Sequence, residues 1–240
     1  MNIVFLIIKS LKETIMNKQS LFVLLVCLLI LTIFQLSKIR RVRKADPYNY
    51  IDKRIEELRS ITGSSKVVRR YFFRTQKVLR ASYNMKKDQI EINPLWMLQI
   101  VNQKLELALE QTMGHEKMHS YDIKYKRKYK KSRKRRQLYW WSCEVHSDIE
   151  GLNLALEKMN NQKSRSEYMI QIYEKVKINT EKGDKHSFSH PSWSKRVEWL
   201  EKYQLFDREV IYEIARELHI TDEKYIEDII NEWELVLRKN

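Results

Sequence analysis

Gly114-His115-Glu116-Lys117-Met118-His119 is a His-Glu-x-x-His motif within a stretch that is predicted to be helical. Residues four apart lie on one face of a helix, so His115 and His119 can bind a single zinc ion. Glu116 points toward the same pocket and could take a proton from a water molecule at the metal. On the motif alone, two solvated histidines on an exposed helix are the alternative.

A catalytic zinc site needs three protein ligands, with the fourth position left for water. We expect the third ligand from a helix predicted at 138–159, where Glu144 and Asp148 are four residues apart and share a face. Glu144 would bind the metal, and Asp148 would accept a hydrogen bond from a ligating histidine. His146 is the competing ligand, but it lies about 200° around the helix from Glu144 and faces away. Scattered carboxylates on an exposed helix are the other interpretation.

The composition is that of an ordered, mainly helical protein. Of its 240 residues, 43% are hydrophobic, and only 4 are glycine and 3 proline, which disfavours an all-β architecture rich in tight turns. The formal net charge of +15 means that an anionic partner must be considered. Cys27 and Cys143 provide no disulfide framework, because Cys27 lies in an apolar run, and this favours a reducing compartment.

An apolar segment near the N-terminus is predicted to be a transmembrane anchor. Residues 19–37 carry no charge, and a helix of that length is about 30 Å long, the thickness of the hydrocarbon core of a bilayer. A cleaved signal peptide is the rival interpretation, but no small-x-small cleavage site follows the run. Five basic residues in 38–44 outnumber the three in 1–18, so the positive-inside rule places the C-terminal side in the cytoplasm.

The rest of the chain is predicted to be α+β, mainly α with a small antiparallel β-hairpin. The strands are expected at 78–83 and 89–93, joined by a polar turn. In the second strand, isoleucines alternate with Glu91, as in a half-buried edge strand. Helices are predicted at 50–61, from 95 or 105 into the zinc motif, and at 138–159, 165–178, 191–203, 208–218 and 222–237.

Residues 124–136 form a basic block with ten lysines or arginines among thirteen residues, and Tyr125 and Tyr129 are interleaved. Such a block repels itself and is predicted to be a mobile, solvated loop. It either serves only solubility or contacts anionic lipid, and nucleic acid is the least favoured partner. The predicted anchor supports the lipid interpretation, because it already holds the domain at a membrane surface.

The motifs follow one another in an order that resembles the HtpX-like zinc metalloproteases: His-Glu-x-x-His, Glu144-x-x-x-Asp148, then His190-Pro191-Ser192 with Arg196. These are membrane-associated gluzincins, in the peptidase family that also holds the CAAX prenyl endopeptidases. The resemblance covers residues 67–200 approximately and implies a gluzincin domain behind one transmembrane helix. It implies the following roles: His115, His119 and Glu144 as zinc ligands, Glu116 as general base, Asp148 behind the ligands, and His190 and Arg196 beside the site. His190 would donate to the tetrahedral oxyanion, or it would merely precede the helix start fixed by Pro191.

The resemblance has one further implication and one departure. The strand at 89–93 would hold an extended peptide by adding it to the sheet. The family usually has glycine where this chain has Met118, and the larger side chain could narrow the cleft or alter helix packing. The small residue usual before Asp148 is present as Ser147.

We therefore predict a single-pass protein of the cell membrane, with a cytoplasmic zinc endopeptidase domain that cuts peptides or proteins. The resemblance suggests quality control of membrane proteins. The predicted divisions are an N-terminal tail (1–18), the anchor (19–37), a basic juxtamembrane linker (38–49), the metalloprotease domain (50–203) and an acidic helical C-terminal extension (204–240). Two alternatives stay open: a regulatory protease of the ImmA/IrrE type, which is typically soluble, or a non-catalytic tether whose basic block binds lipid or nucleic acid.

Overall fold

A computed structural model describes residues 18–46, 49–63, 65–69, 81–124, 129, 132–159, 162–180 and 183–238. The chain divides into two compact units, Met1–Pro47 and Tyr48–Asn240. The predicted architecture, mostly helical with a small sheet and one apolar N-terminal helix, is confirmed at this level.

The described part of the first unit is a helix, α1, at Lys18–Ala45. Its 24-residue segment Leu21–Lys44 is long and apolar enough to cross a membrane by length and composition, and a signal sequence would meet the same criteria. The helix continues through the basic residues after the apolar run as far as Ala45, so the first part of the predicted linker is helical. The reason is local: no glycine or proline interrupts this stretch before Pro47.

The second unit contains the helices that carry the predicted motifs, which are α5, α6 and α8 in the numbering below. Its described helices are α2 (Tyr50–Glu57), α3 (Arg59–Thr62), α4 (Pro94–Asn102), α5 (Glu106–Met118), α6 (Arg133–Lys158), α7 (Arg165–Thr180), α8 (Trp193–Lys202), α9 (Arg208–Glu217) and α10 (Glu223–Leu237). The helix predicted at 50–61 is divided at Leu58, and the break before residue 105 is present between α4 and α5. Asn93 begins α4, since its side chain accepts a hydrogen bond from the Leu95 amide at 3.1 Å.

A three-stranded sheet precedes α4, with strands β1 (Lys66–Arg69), β2 (Ala81–Asn84) and β3 (Gln89–Ile92) in the order β1-β3-β2. The predicted antiparallel hairpin is confirmed as β2 and β3, although residues 78–80 lie outside the described residues. β1 was not predicted, and it pairs in parallel with β3, so the sheet is mixed. β3 is therefore the central strand, and the prediction of an edge strand at 89–93 is wrong.

Glu91 explains why the alternating pattern of β3 led to the wrong prediction of an edge strand. Its side chain is buried at the centre of the sheet, where its carboxylate accepts hydrogen bonds from Asn84 and Gln89 at 3.2 and 3.0 Å. A charged residue between two isoleucines is thus satisfied inside the protein instead of facing water. Of the two outer strands of the described sheet, β2 is the one that borders the candidate metal centre described below.

The C-terminal helices belong to the same compact unit as the motif helices. The Trp233 ring of α10 packs on Phe206 and on His146 of α6, with ring centroids 4.9 and 4.4 Å apart. Asp222 forms an ion pair with Arg135 near the start of α6. The acidic segment predicted as an extension therefore packs against the core and against the basic block.

Part of the basic block is helical. Ser132 begins α6, where its hydroxyl accepts a hydrogen bond from the Arg135 amide, so Arg133 to Arg136 are helical and the prediction of a loop is wrong there. Tyr129 is fully buried and stacks on Tyr139 with ring centroids 5.0 Å apart. Residues 125–128, 130 and 131 lie outside the described residues.

Candidate metal centre

Three predicted ligands lie together in the second unit. His115 Nε2 is 3.1 Å from His119 Nε2, and the carboxylate oxygens of Glu144 lie 3.7 and 3.8 Å from these two nitrogens. Ligands bound about 2 Å from a zinc ion at tetrahedral angles are about 3.3 Å apart, close to these separations. The group His115, His119 and Glu144 could therefore hold a metal ion, and its two imidazoles and one carboxylate are a donor set that zinc accepts.

Two helices bring these ligands together by an unusually close crossing. His115 is in the last turn of α5, and His119 follows in a 3-10 turn, His119–Tyr121, while Glu144 lies in the first half of α6. A Cβ atom built on Gly114 would lie 2.1 Å from the carbonyl oxygen of Gly151, so the helices touch backbone to backbone. The separation of the ligands thus depends on two glycines that flank the site.

Asp148 and Arg196 form a buried layer behind the ligands. Asp148 Oδ1 accepts a hydrogen bond from His115 Nδ1 at 3.0 Å, which leaves the other nitrogen of His115 directed at Glu144. Arg196, in the first turns of α8, donates two hydrogen bonds to Asp148 at 2.6 and 2.7 Å and lies 3.2 Å from Glu144. Ser192 caps α8 ahead of Arg196, so the helix begins two residues after the predicted start at Pro191.

The charge of Arg196 keeps the carboxylates of the site ionised. Burial raises the pKa of Glu144, but the charge of Arg196 and a hydrogen bond from His190 outweigh it and lower that pKa to about 2. Burial also opposes ionisation of Asp148, and the Arg196 charge again lowers its pKa below the usual range. Glu144 and Asp148 therefore both carry their negative charge at neutral pH. His190 Nε2 lies 3.2 Å from Glu144, with half of the His190 side chain exposed.

Asp122 is a site residue that the sequence interpretation missed. Its carboxylate accepts a hydrogen bond from His119 Nδ1 at 2.7 Å, and Ser147 Oγ lies 3.1 Å from the same nitrogen. Burial alone would lower the pKa of His119, but the charge and hydrogen bond of Asp122 raise it to about 10. The sequence feature that could have identified Asp122 is its position, three residues after the second histidine of the motif.

His146, the competing ligand, packs against aromatic rings, and its Nδ1 lies 3.7 Å from Asp122 Oδ1. Its ring lies 4.4 Å from that of Trp233 and 5.2 Å from that of Phe206, measured between centroids. Among the described residues, the group that could hold a metal ion does not include it. The arrangement agrees with the expectation that Glu144, and not His146, joins the two histidines.

A cavity of about 420 Å³ opens in front of the three ligands. Glu116 lines it with an almost buried side chain, and β2 borders it through residues that include Tyr83. Met118 is half-buried and is not among the described residues that line the cavity, so the predicted narrowing of the cleft by this side chain is not seen there. The cavity thus joins the ligands, the predicted base and the edge of the sheet.

Arg196→Met is expected to lower the free energy of unfolding by about 3 kcal/mol in the presence of a chelator, because it leaves buried carboxylates without their counter-charge. Chemical denaturation of the full chain in detergent measures this change. Lys202→Met is the control, since Lys202 is on the same helix with half of its side chain exposed and should leave the midpoint unchanged. Equal midpoints for wild type and Arg196→Met would contradict the buried ion pairs.

Comparisons with family models, curated proteins and solved structures found no match to the chain. The functional interpretation therefore depends on the geometry of the site.

Proposed function

We propose that this chain is a zinc-dependent endopeptidase, held in the cell membrane by α1, with its second unit facing the cytoplasm. The observation that carries the proposal is the convergence of His115, His119 and Glu144 at ligand separations, in a cavity that Glu116 also lines. A metal site that only stabilises a fold is usually closed by a fourth protein ligand, whereas this one faces a cavity. Two histidines and one glutamate with a position left open are a donor set of catalytic zinc sites, which supports zinc as the proposed metal.

When bound to these three residues, zinc would lower the pKa of a water molecule and polarise the carbonyl of the substrate. Glu116, which lines the same cavity, would hold the proton that the water loses and return it to the leaving amine. Asp148 and Asp122 each accept a hydrogen bond from the Nδ1 atom of one histidine, so both histidines keep Nε2 directed at the ligand group.

Two further side chains are assigned supporting roles. Arg196 positions Asp148 and Glu144 through the hydrogen bonds and the ion pair described above. His190 lines the cavity beside Glu144, and we assign it as the donor to the oxygen on which negative charge develops in the transition state.

The peptide is proposed to bind along β2 instead of β3. Among the described strands β2 lies at an edge of the sheet, and its residues Ala81, Ser82 and Tyr83 line the cavity. An extended peptide could pair with that edge through backbone hydrogen bonds and so pass in front of the ligands. A role in quality control of membrane proteins, and contact of the basic block with anionic lipid, are part of this proposal, and α1 supports both by holding the domain at a membrane.

The test begins with metal content and hydrolysis. The full chain in detergent is expected to bind one zinc ion and to hydrolyse an unfolded protein such as casein, with the activity lost on chelation. Glu144→Ala should weaken zinc binding by more than about a hundredfold, since loss of an outer partner of a ligand alone costs about 10–100-fold. Competition with a chromogenic chelator measures the affinity.

Glu157→Ala is the matched control, because Glu157 is an exposed carboxylate on the same helix. It should leave zinc affinity and hydrolysis unchanged. Absence of stoichiometric zinc in the wild type would favour the non-catalytic tether over both protease interpretations. An intact zinc affinity in Glu144→Ala would show that this residue is not a ligand.

A further inference from the structure

Phe188, in the segment that precedes α8, lies between two arginines. The guanidinium carbons of Arg133 and Arg136 lie 5.9 and 5.2 Å from the centre of the Phe188 ring, within the range of cation–π attraction. Arg133 is exposed and Arg136 is half-buried, and both belong to the first turn of α6. We call these two residues the arginine pair.

The arginine pair differs from its neighbour in the basic block. Arg135 forms an ion pair with Asp222, whereas within the described parts of the chain no ion pair involves the arginine pair. The Nε atom of Arg136 is buried and has no hydrogen-bond partner among the described residues. Residues 124–136 include no acidic residue, so a bound anion would offset the repulsion between the charges of the block.

The arginine pair lies on the face of α6 that carries Glu144. Arg136, Trp140 and Glu144 follow one another at intervals of four residues, so they succeed one another along that face. At 1.5 Å per residue, Arg136 lies about 12 Å and Arg133 about 16 Å from Glu144 along the helix. Trp140 lines the cavity and is 37% exposed, so this face leads from the metal centre out of the cavity.

The segment that precedes α8 follows the same part of α6. His190 Nε2 lies 3.2 Å from Glu144 at the metal centre. Further along, the carbonyl of Ser187 accepts a hydrogen bond from the Trp141 indole at 3.2 Å, and Phe188 reaches the arginine pair. Continuous contacts between this segment and α6 therefore connect the metal centre with the arginine pair.

The separation along α6 determines which residue of a peptide would meet the arginine pair. An extended peptide advances about 3.3 Å per residue, so a distance of about 12–16 Å corresponds to roughly four or five residues. A peptide whose cleaved bond lies at the metal centre, and whose chain leaves the cavity across Trp140, would present a side chain to the arginine pair at that distance.

We propose that the arginine pair binds an acidic side chain of the substrate, about four or five residues from the cleaved bond. The proposal rests on the peptidase function, because only a peptide that is cleaved at the metal centre defines this distance. Two guanidiniums held on one aromatic ring suit a carboxylate, which accepts paired hydrogen bonds from arginine. The phosphate of a lipid headgroup offers similar chemistry, but the position of the pair on the face that leads out of the cavity favours the substrate.

Binding of short peptides tests the proposal without hydrolysis. Acetyl-tetraglutamate amide carries carboxylates only on its side chains, and acetyl-tetraglutamine amide has the same length without charge. The full chain in detergent is titrated calorimetrically at an ionic strength of about 0.15 M, which limits nonspecific attraction. The acidic peptide should bind at least about tenfold more tightly than the neutral one. This advantage should persist when zinc is chelated, since the arginine pair and not the metal holds the carboxylates.

Replacement of both arginines, Arg133→Met with Arg136→Met, should remove the advantage, because it deletes the charges and keeps much of the apolar part of the side chains. Arg133→Gln with Arg136→Gln should give the same result, and it replaces the methionine variant if that variant does not fold. Lys134→Met with Lys158→Met is the matched control, since it removes the same number of charges from the same helix. Lys134 donates to the carbonyl of His219 instead of contacting Phe188, so the control should retain the advantage.

Equal affinities for the two peptides in the wild type, including undetectable binding, would overturn the proposal. An advantage that survives the double arginine variant, or that disappears on chelation, would do the same. Glycerophosphoserine, the headgroup of an anionic lipid, is titrated in parallel. If the arginine pair binds this headgroup and shows no preference for the acidic peptide, the site is one for lipid and the proposal is wrong.

Digestion of a complex peptide mixture, read by mass spectrometry of the new termini, gives the second measurement. Sequences cut by the wild type should be enriched in Asp or Glu about four or five residues from the cut, on one side of it. The double arginine variant should lose this enrichment while still cutting neutral sequences. Cleavage by the wild type without such enrichment would overturn the proposal. If the wild type cuts nothing, the proposed function fails, and the binding titration alone decides whether the arginine pair binds acidic side chains.

Discussion

Glu116→Gln is expected to lower the rate of peptide hydrolysis by about a thousandfold while the chain still binds zinc. The amide has nearly the same shape as the carboxylate, but it cannot accept the proton of a water molecule or return it to the leaving amine. Glu116 lines the cavity and is not one of the three described residues whose donor atoms converge, so metal binding does not require its charge.

Two measurements on the same preparation separate these effects. Zinc content of the purified variant should equal that of the wild type, and the rate of cleavage of a quenched fluorescent peptide should fall by about a thousandfold. Glu106→Gln is the matched control, because it makes the same change in the first turn of the same helix and should leave the rate unaltered. Full activity in Glu116→Gln would exclude Glu116 as the base, and loss of zinc in this variant would indicate that Glu116 is a ligand.

The group that could hold a metal ion was predicted from the sequence because much of its arrangement is local. Spacings of four residues on a helix determine which side chains share a face, and this rule selected His115 with His119 and Glu144 with Asp148. The same rule excluded His146, which packs on Trp233 instead. The spacing rule does not predict that the face with His115 and His119 meets the face with Glu144 and Asp148, because that contact is part of the tertiary structure. The order of the motifs indicated this contact only through the resemblance.

What the sequence did not predict depends on contacts between distant segments. β1 pairs with β3 across more than twenty residues, and nothing in the local pattern of β3 distinguishes a central strand from an edge strand once Glu91 finds partners inside the protein. Asp222 is almost ninety residues from Arg135, so their ion pair could not be inferred from the charge of either segment. Ion pairs of this kind offset the repulsion between the charges of the basic block, and residues 133–136 of the block are helical.

The close crossing of α5 and α6 was also not predicted, although the fold of the site depends on it. Gly151 lies in the middle of a helix, where helix propensity alone predicts that alanine would stabilise the protein by about 1 kcal/mol. The structure predicts the opposite sign. A Cβ atom on Gly151 would lie 2.4 Å from the backbone nitrogen of His115 and 2.7 Å from its Cα atom, far inside van der Waals contact.

Gly151→Ala should therefore destabilise the full chain by about 4 kcal/mol or more, because the obstructing atoms belong to backbone and cannot rotate away as a side chain would. Relief requires α5 and α6 to move apart, which would also separate His115 from Glu144 and weaken zinc binding. Thermal unfolding with and without zinc measures both effects, and Gly114→Ala should behave similarly, since its Cβ would meet the Gly151 carbonyl. Glu157→Ala, an exposed change on α6, should leave both unaltered. An increase in stability on Gly151→Ala would show that the helices do not touch at this point.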